Sequence, residues 1–449
     1  MKKSVARPDD GVHSFFTSTA EKIIGSLMDE EALKDLRKYF GPKHRERRFS
    51  LATVLWLGIY AAAHASLRSM EAILDTACDA MTGTTLLPLR GATLTESGWS
   101  RAKGRLPLDL LRALWRRWVV LARAQAGEDV ALLGGLHLVA LDKKTITVPE
   151  ALWLEFGSHR GSRGEGPAQA ELLVAYDVAV RVPVAHLVAK VRTDERRLAF
   201  RLLGQLPRPS LILIDSGFYY AALFADAAAA GHHFLTRMRK GGRPKLLRRL
   251  GPHDGLYEIQ LTSLPKGKNP NAYPKTMQVR IVEVQWPGYR PVRLVTSLLD
   301  PQAFPVGTLL DLYHRRWHIE TFFRELSSDL DFQHWHTRTL HGLWVELLFT
   351  MIYVTVVRAH MAEAARAAGL LPGHLSFARG AEACARHWCR LPKASPGKAA
   401  ALRTELIAHL ATVKIDIRPG RSFERNTQKR RAESRRKKLE AKKQQRHAA

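Results

Sequence analysis

Three carboxylates set the chemistry to be considered. Asp142 closes the apolar run LHLVALD, Asp215 closes SLILID, and Glu320 lies far downstream in a stretch with helical spacing. Taken singly, an acid after an apolar strand is ordinarily a turn or cap residue. Gathered at one edge of a mixed sheet, the three offer hard oxygen ligands suited to Mg²⁺. Two such ions activate a water or 3′-hydroxyl and stabilise the leaving oxygen of a displacement at phosphorus, so no protein nucleophile is required.

The residues around Glu320 extend that reading. Tyr313, Arg316 and Glu320 fall at i, i+3 and i+7, with Arg324 four further on, which places them on one face of a helix predicted over about 307–330. An arginine beside a metal-ligating glutamate can grip a phosphate, and a tyrosine can stack on or hydrogen-bond to the strand being cut. Trp317, Phe322 and Phe323 supply the packing face of the same helix. Lys143 and Lys144 follow Asp142 and add affinity for phosphate. Asp177, Asp194 and Glu325 stand as alternative acidic ligands. Cys384, His387 and Cys389 lack the fourth ligand of a structural zinc site and read as part of an ordinary helix.

The elements that must position these groups change character along the chain. From about Ser18 to Arg123 the apolar spacing is helical, notably over Thr53–Ala63 and Leu108–Leu121. Two basic stretches interrupt it, Lys43–Arg48 and Arg101–Arg105; Arg101, Lys103 and Arg105 sit at a helix opened by Thr95, Glu96 or Ser97, a setting that suits phosphate contact. From Leu136 the segments LHLVALD, TITV and ELLVAYDVAVRVPVAHLVAK read as three strands in sequence, the last broken like a hairpin at Arg181–Pro183. A helix from Asp194 to Leu206 capped by Thr193, the buried strand ending at Asp215, a helix over Tyr219–Gly231 and a strand over His233–Met238 follow. Short alternating runs between about 255 and 299 form a β-rich insertion, in which Trp286 reads as a core residue or as a platform for a flipped base.

The whole chain of 449 residues carries 70 Lys and Arg against 42 Asp and Glu, a net charge of +28, and a polyanionic partner is the direct inference. The tail over 418–446 holds 13 Lys or Arg less 3 Glu, leaving +10, and is expected to order only on DNA. No signal peptide and no charge-free span of membrane length is evident; Leu343–Val357 contains Glu346 and reads as a buried core helix. Three scattered cysteines favour a reducing compartment, the cytoplasm. Glycine patterns for dinucleotides or a P-loop, and RNA-binding motifs, are not found.

The run Tyr313-His-Arg-Arg316-Trp-His-Ile-Glu320 resembles the Tyr-x-x-Arg-x-x-x-Glu signature of bacterial insertion-sequence transposases of the insertion sequence 4 family. The resemblance spreads over the strand ending at Asp142, the IDSGFYY stretch with Asp215, the β insertion before the glutamate helix and the basic Arg418-Pro-Gly-Arg-Ser-Phe tail. It implies an α/β fold with a ribonuclease-H-like mixed sheet core, and a division into a helical DNA-binding domain over 1–130, a catalytic domain over 131–365 with the insertion at about 240–305, a helical region over 366–417 and a basic tail over 418–449. Asp142, Asp215 and Glu320 match the family's DDE triad, with two Mg²⁺ ions, or Mn²⁺ in their place, as cofactors. Tyr313 and Arg316 match residues used near the transposon end. The implied partners are double-stranded DNA, as terminal inverted repeats and target, and a second copy of the chain in the synaptic complex, at the nucleoid when bound to DNA. Ser327 departs from the signature, which has a lysine seven residues after the glutamate, so a phosphate contact is expected to be missing. A metal-dependent nuclease and a catalytically impaired or domesticated DNA-binding protein are the alternatives.

Overall fold

Strand β1 (Leu136–Thr147) is the spine of the molecule, apolar on both faces over its first half. Leu138, Ala140 and Ile146 enter the core on one side of the sheet, Val139 and Leu141 the core on the other, as the period of two requires. Such a strand must be covered on both faces. Helices before and after the sheet cover one face, and helices between its strands cover the other. The computed structural model describes residues 51–415 other than 85, 88–93, 160–165, 240–242, 262–263, 265–268, 270, 272 and 286–290. Lys43–Arg48, Trp286 and the basic tail lie outside the described residues.

Beside β1 runs the antiparallel pair β2 (Gln169–Asp177) and β3 (Val182–Lys190), turned at Arg181 with φ of 66°. On its other side β4 (Ser210–Ile214) and β5 (His233–Arg237) are parallel to it and to each other. The expected β-rich insertion extends the same sheet. Its strands, β6 (Lys245–Gly251), β7 (Asp254–Gln260), β8 (Thr276–Val284) and β9 (Val292–Thr296), continue the sheet from β5 in the order β3-β2-β1-β4-β5-β9-β8-β7-β6. With the two-residue strand Leu132–Leu133 paired to β1, the sheet has ten strands.

Helices α1 (Leu51–Ala63), α2 (Met70–Met81), α3 (Glu96–Lys103) and α4 (Leu108–Ala126) precede the sheet. Thr95 caps α3 as expected, its Oγ1 accepting from the Gly98 N–H at 3.2 Å. Crossing from the sheet's other side, α5 (Glu195–Leu202) and α6 (Ala221–Ala229) cover the β4 face with Leu198, Leu202 and Phe224. The cap of α5 is Asp194, not Thr193: its carboxylate accepts from the Arg196 N–H at 2.9 Å, while Thr193 bonds back to the Lys190 carbonyl.

The single helix expected over 307–330 is two, α7 (Val306–Arg315) and α8 (His318–Ser328). The N–H groups of Arg316, Trp317 and Ile319 bond three residues back rather than four, which tightens one turn without leaving helical dihedrals. Helix α9 (Leu340–Ala367) runs along α4, and its burial fits the expected core helix: 72% of its apolar window lies inside the protein, although its length and composition would let it cross a membrane. Trp115 of α4 donates to Thr355 of α9 at 3.1 Å. Helices α10 (Phe377–Arg390) and α11 (Pro396–Thr412) close the bundle, with Cys384 packed in its core. The described residues up to Lys414 form one compact unit, so the helices before the sheet and those after it share a core.

Candidate active site

Asp142 does not end its strand. Parallel pairing of β1 with β4 stops at Ala140 opposite Leu213, but antiparallel pairing with β2 continues to Thr147, so β1 overruns its neighbour and carries Asp142 just past the carboxyl end of the parallel pair. Asp215 leaves the end of β4 at the same edge. Its Oδ1 accepts from the Gly217 N–H at 2.7 Å, and its carbonyl accepts from Thr236 at 3.1 Å, which fixes the turn. Helix α8 packs on β1 through Ile319, Phe322 and Leu326 and presents Glu320 from that side.

The three acids share one field. Burial, and after it the negative charges of Glu320 and Asp215, push the Asp142 carboxyl up to about 6, against the Lys143 N–H and the Arg316 guanidinium. They do not form a closed cage, since among the described residues no three His, Cys, Asp or Glu stand close enough to hold a metal ion. The donor set still fits a hard divalent cation: three carboxylate groups, mutually repelling, at a sheet edge.

Arg316 is the cation of this field. It is 7% exposed, donates from Nη2 to Glu320 at 3.2 Å, lies 4.9 Å over the Trp317 ring, and keeps its buried Nε without a partner. Tyr313, half-buried on α7, is pushed above the usual tyrosine range by burial and lies within the fields of Arg316, Arg237 and Asp215. Tyr313, Arg316 and Glu320 are thus brought together as the spacing predicts. Arg324 is exposed at the outer end of the stripe.

The lysines are placed differently from expectation. Lys144 donates to the Phe323 carbonyl at 3.0 Å and to Ser327 Oγ, which ties β1 to α8; Lys143 donates to the Thr193 carbonyl at 3.2 Å and faces Glu171 at 3.6 Å. Both spend their donors inside the protein. Lys103 is 3% exposed and ion-paired with Glu346, so it is not free to contact phosphate, whereas Arg101 and Arg105 are exposed. The alternative acids are also committed: Asp177 to Arg123 at 3.0 Å and to two backbone N–H groups, Glu325 to the buried Arg358 at 2.5 Å, and Asp194 to Arg196.

Glu195 was not singled out from the sequence. It opens α5, and its carboxyl is raised by burial and then by Asp215. A side chain at Gly217 would meet Glu195 Oε1 at 2.4 Å and Asp215 Oδ1 at 2.9 Å. The small residue two positions after Asp215 is the one sequence signal that something must approach closely there.

The region that carries these residues is similar to a known domain. A model of the transposase DDE domain matches residues 134–355, from the start of β1 to the middle of α9. The transposase InsG of insertion sequence element IS4 from Escherichia coli K12 is 27% identical over 299 residues, 65% of this chain and 67% of that protein. A probable transposase of insertion sequence element IS5377 from Geobacillus stearothermophilus is 22% identical over 345 residues, 76% of this chain and 83% of that one. A solved piggyBac transposase synaptic complex with hairpin DNA aligns over 94% of this chain and 89% of that chain, at 12% identity and a TM-score of 0.37. The chemistry of a DDE domain depends on a divalent metal. With that domain laid over the strands and helices that carry Asp142, Asp215 and Glu320, the chain belongs to the DDE transposases of the insertion sequence 4 type.

Proposed function

We propose that this transposase cuts the ends of its element and joins them to target DNA at the site formed by Asp142, Asp215 and Glu320. The observation that carries the reading is their convergence. Asp142 lies within one strand and Asp215 just past the end of its parallel neighbour at the same edge, a third acid comes from the helix packed on them, and a desolvated arginine stands among them. The strand order β3-β2-β1-β4-β5, antiparallel then parallel, supports a ribonuclease-H-like core. Asp142, Asp215 and Glu320 would hold the divalent metal, two Mg²⁺ ions in our reading, which supplies Lewis acidity to the attacking and leaving oxygens.

The chain's own residues do the positioning. Arg316 offers a charged donor already stripped of water, so a phosphate reaching it repays a cost met during folding. Tyr313 stands beside Asp215 and can bond or stack on the same strand. Lys144 holds α8 to β1 and thereby Glu320 to Asp142. Arg101, in the last turn of α3 rather than at its start, and Arg105, just beyond the helix, contact duplex DNA of the terminal repeats, and a homodimer in the cytoplasm holds two ends. The test is Mg²⁺-dependent nicking and strand transfer on DNA bearing the repeats that flank its own locus. Wild type should perform both, and Glu320→Ala should lose both while still binding. Nicking without joining would indicate a nuclease, and binding without nicking would refute the proposal.

A further inference from the structure

The acids of the site do not end with the three already described. Asp142 lies on the side of the sheet covered by α8, which carries Glu320, whereas α5 lies on the other, with Leu198, Ala199 and Leu202 in the opposite core. Asp215, at the end of β4, is reached from both. Glu195, in the first turn of α5, and Asp215 both border Gly217, their Oε1 and Oδ1 lying 2.4 and 2.9 Å from where a side chain there would begin.

We propose that Glu195 contributes a fourth carboxylate to the metal site, on the α5 side of Asp215. Its surroundings argue for this role. Glu171, Asp177, Asp194 and Glu325 each have donors, but Glu195 has no hydrogen bond and no ion pair among the described residues, although it is half-buried. Lys143 and Arg196 lie in its field but neither bonds it, and holding an ionised carboxyl beside Asp215 without a bonded partner is unfavourable unless a cation joins the two. The Glu320 side independently points to a ligand: Arg316, more than nine-tenths buried, bonds Glu320 through Nη2 and keeps Nε unpartnered. Carboxylates on both sides of Asp215, with a desolvated guanidinium on the Glu320 side, are complementary to a divalent cation carrying a phosphate oxygen. A first-turn acid also complements the dipole of its own helix, a role that requires no metal.

The inference rests on the metal-binding role proposed for Asp142, Asp215 and Glu320, and the experiment separates the two. The full chain is titrated with Mn²⁺ alone, following thermal stabilisation, and the metal dependence of nicking is measured in parallel for wild type, Glu195→Gln, Glu195→Asp and Asp142→Asn. Glu195→Gln should move both metal midpoints upward by roughly tenfold or more, as loss of a supporting ligand does. Glu195→Asp should fall between Glu195→Gln and wild type, which a fold defect would not produce. Wild-type midpoints in Glu195→Gln, with the response lost in Asp142→Asn, would overturn the role of Glu195 alone. An undiminished response in Asp142→Asn would overturn the metal site and this inference with it.

Discussion

Replacing Asp142 by asparagine should make the metal-free protein more stable while ending its cleavage of DNA. Burial, with Glu320 and Asp215 adding to it, moves this carboxyl from 3.8 to about 6. Between those values the folded chain keeps a proton that the unfolded chain has released, so stability falls as pH rises through the window, and the penalty is complete above it. At ~1.36 kcal/mol per unit the penalty is about 3 kcal/mol. Asparagine removes the charge and retains the acceptor that receives the Lys143 N–H at 2.8 Å. With ~2.1 cal/mol/K of unfolding entropy per residue, a cooperative unit of this size should gain about 3–4 °C in Tm near pH 7.5. The gain should vanish near pH 4, where wild type is itself protonated. Calorimetry in EDTA at the two pH values, with nicking assayed alongside, tests the argument. A variant that melts below wild type near pH 7.5, or a gain equal at both pH values, would refute it.

Other perturbations follow from the same geometry. Arg316→Ala should slow single-turnover cleavage by roughly 10²–10³-fold, as loss of a preorganised donor does, with Arg316→Lys recovering part of it. Gly217→Ala places a methyl against Glu195 and Asp215 and should cost roughly a hundredfold in cleavage rate while DNA binding holds. Arg358→Met strands the buried Glu325 and should cost about 3–5 kcal/mol in denaturant unfolding, most of it recovered by adding Glu325→Leu. Lys103→Met should lower stability but leave the salt dependence of DNA binding unchanged; Arg101→Gln and Arg105→Gln should each reduce that slope by ~0.9.

What the sequence disclosed was local. Asp142 and Asp215 end apolar runs whose alternation is visible in a few residues, and Tyr313, Arg316 and Glu320 keep their common face because the tightened turn at Arg316 stays helical. What it concealed was tertiary. Lys103 and Lys144 look like free cations until Glu346 and Ser327, 243 and 183 residues away, take up their donors. Strand β6, whose residues Lys245 to Arg249 are all exposed, lacks the apolar–polar alternation of a half-buried strand and becomes one only by pairing with β7. Glu195 was hidden for a similar reason. Beside the capping Asp194 it looks like an ordinary first-turn acid, and only the close approach of Asp215 gives it another meaning.

The packing of α4 along α9 bears on how such elements diversify. Trp115 bonds Thr355, Lys103 pairs with Glu346, and Arg123 reaches Asp177 on β2, so the helices ahead of the sheet are keyed into it and into the helix behind. A segment keyed in this way cannot be exchanged between lineages as a cassette, because a foreign copy would arrive without matching ridges and charges. On the end-contacting role proposed for Arg101 and Arg105, new end specificities would arise through substitutions around these two exposed residues, while the inner face of α3 is inherited with the sheet and the helix behind it as a single block.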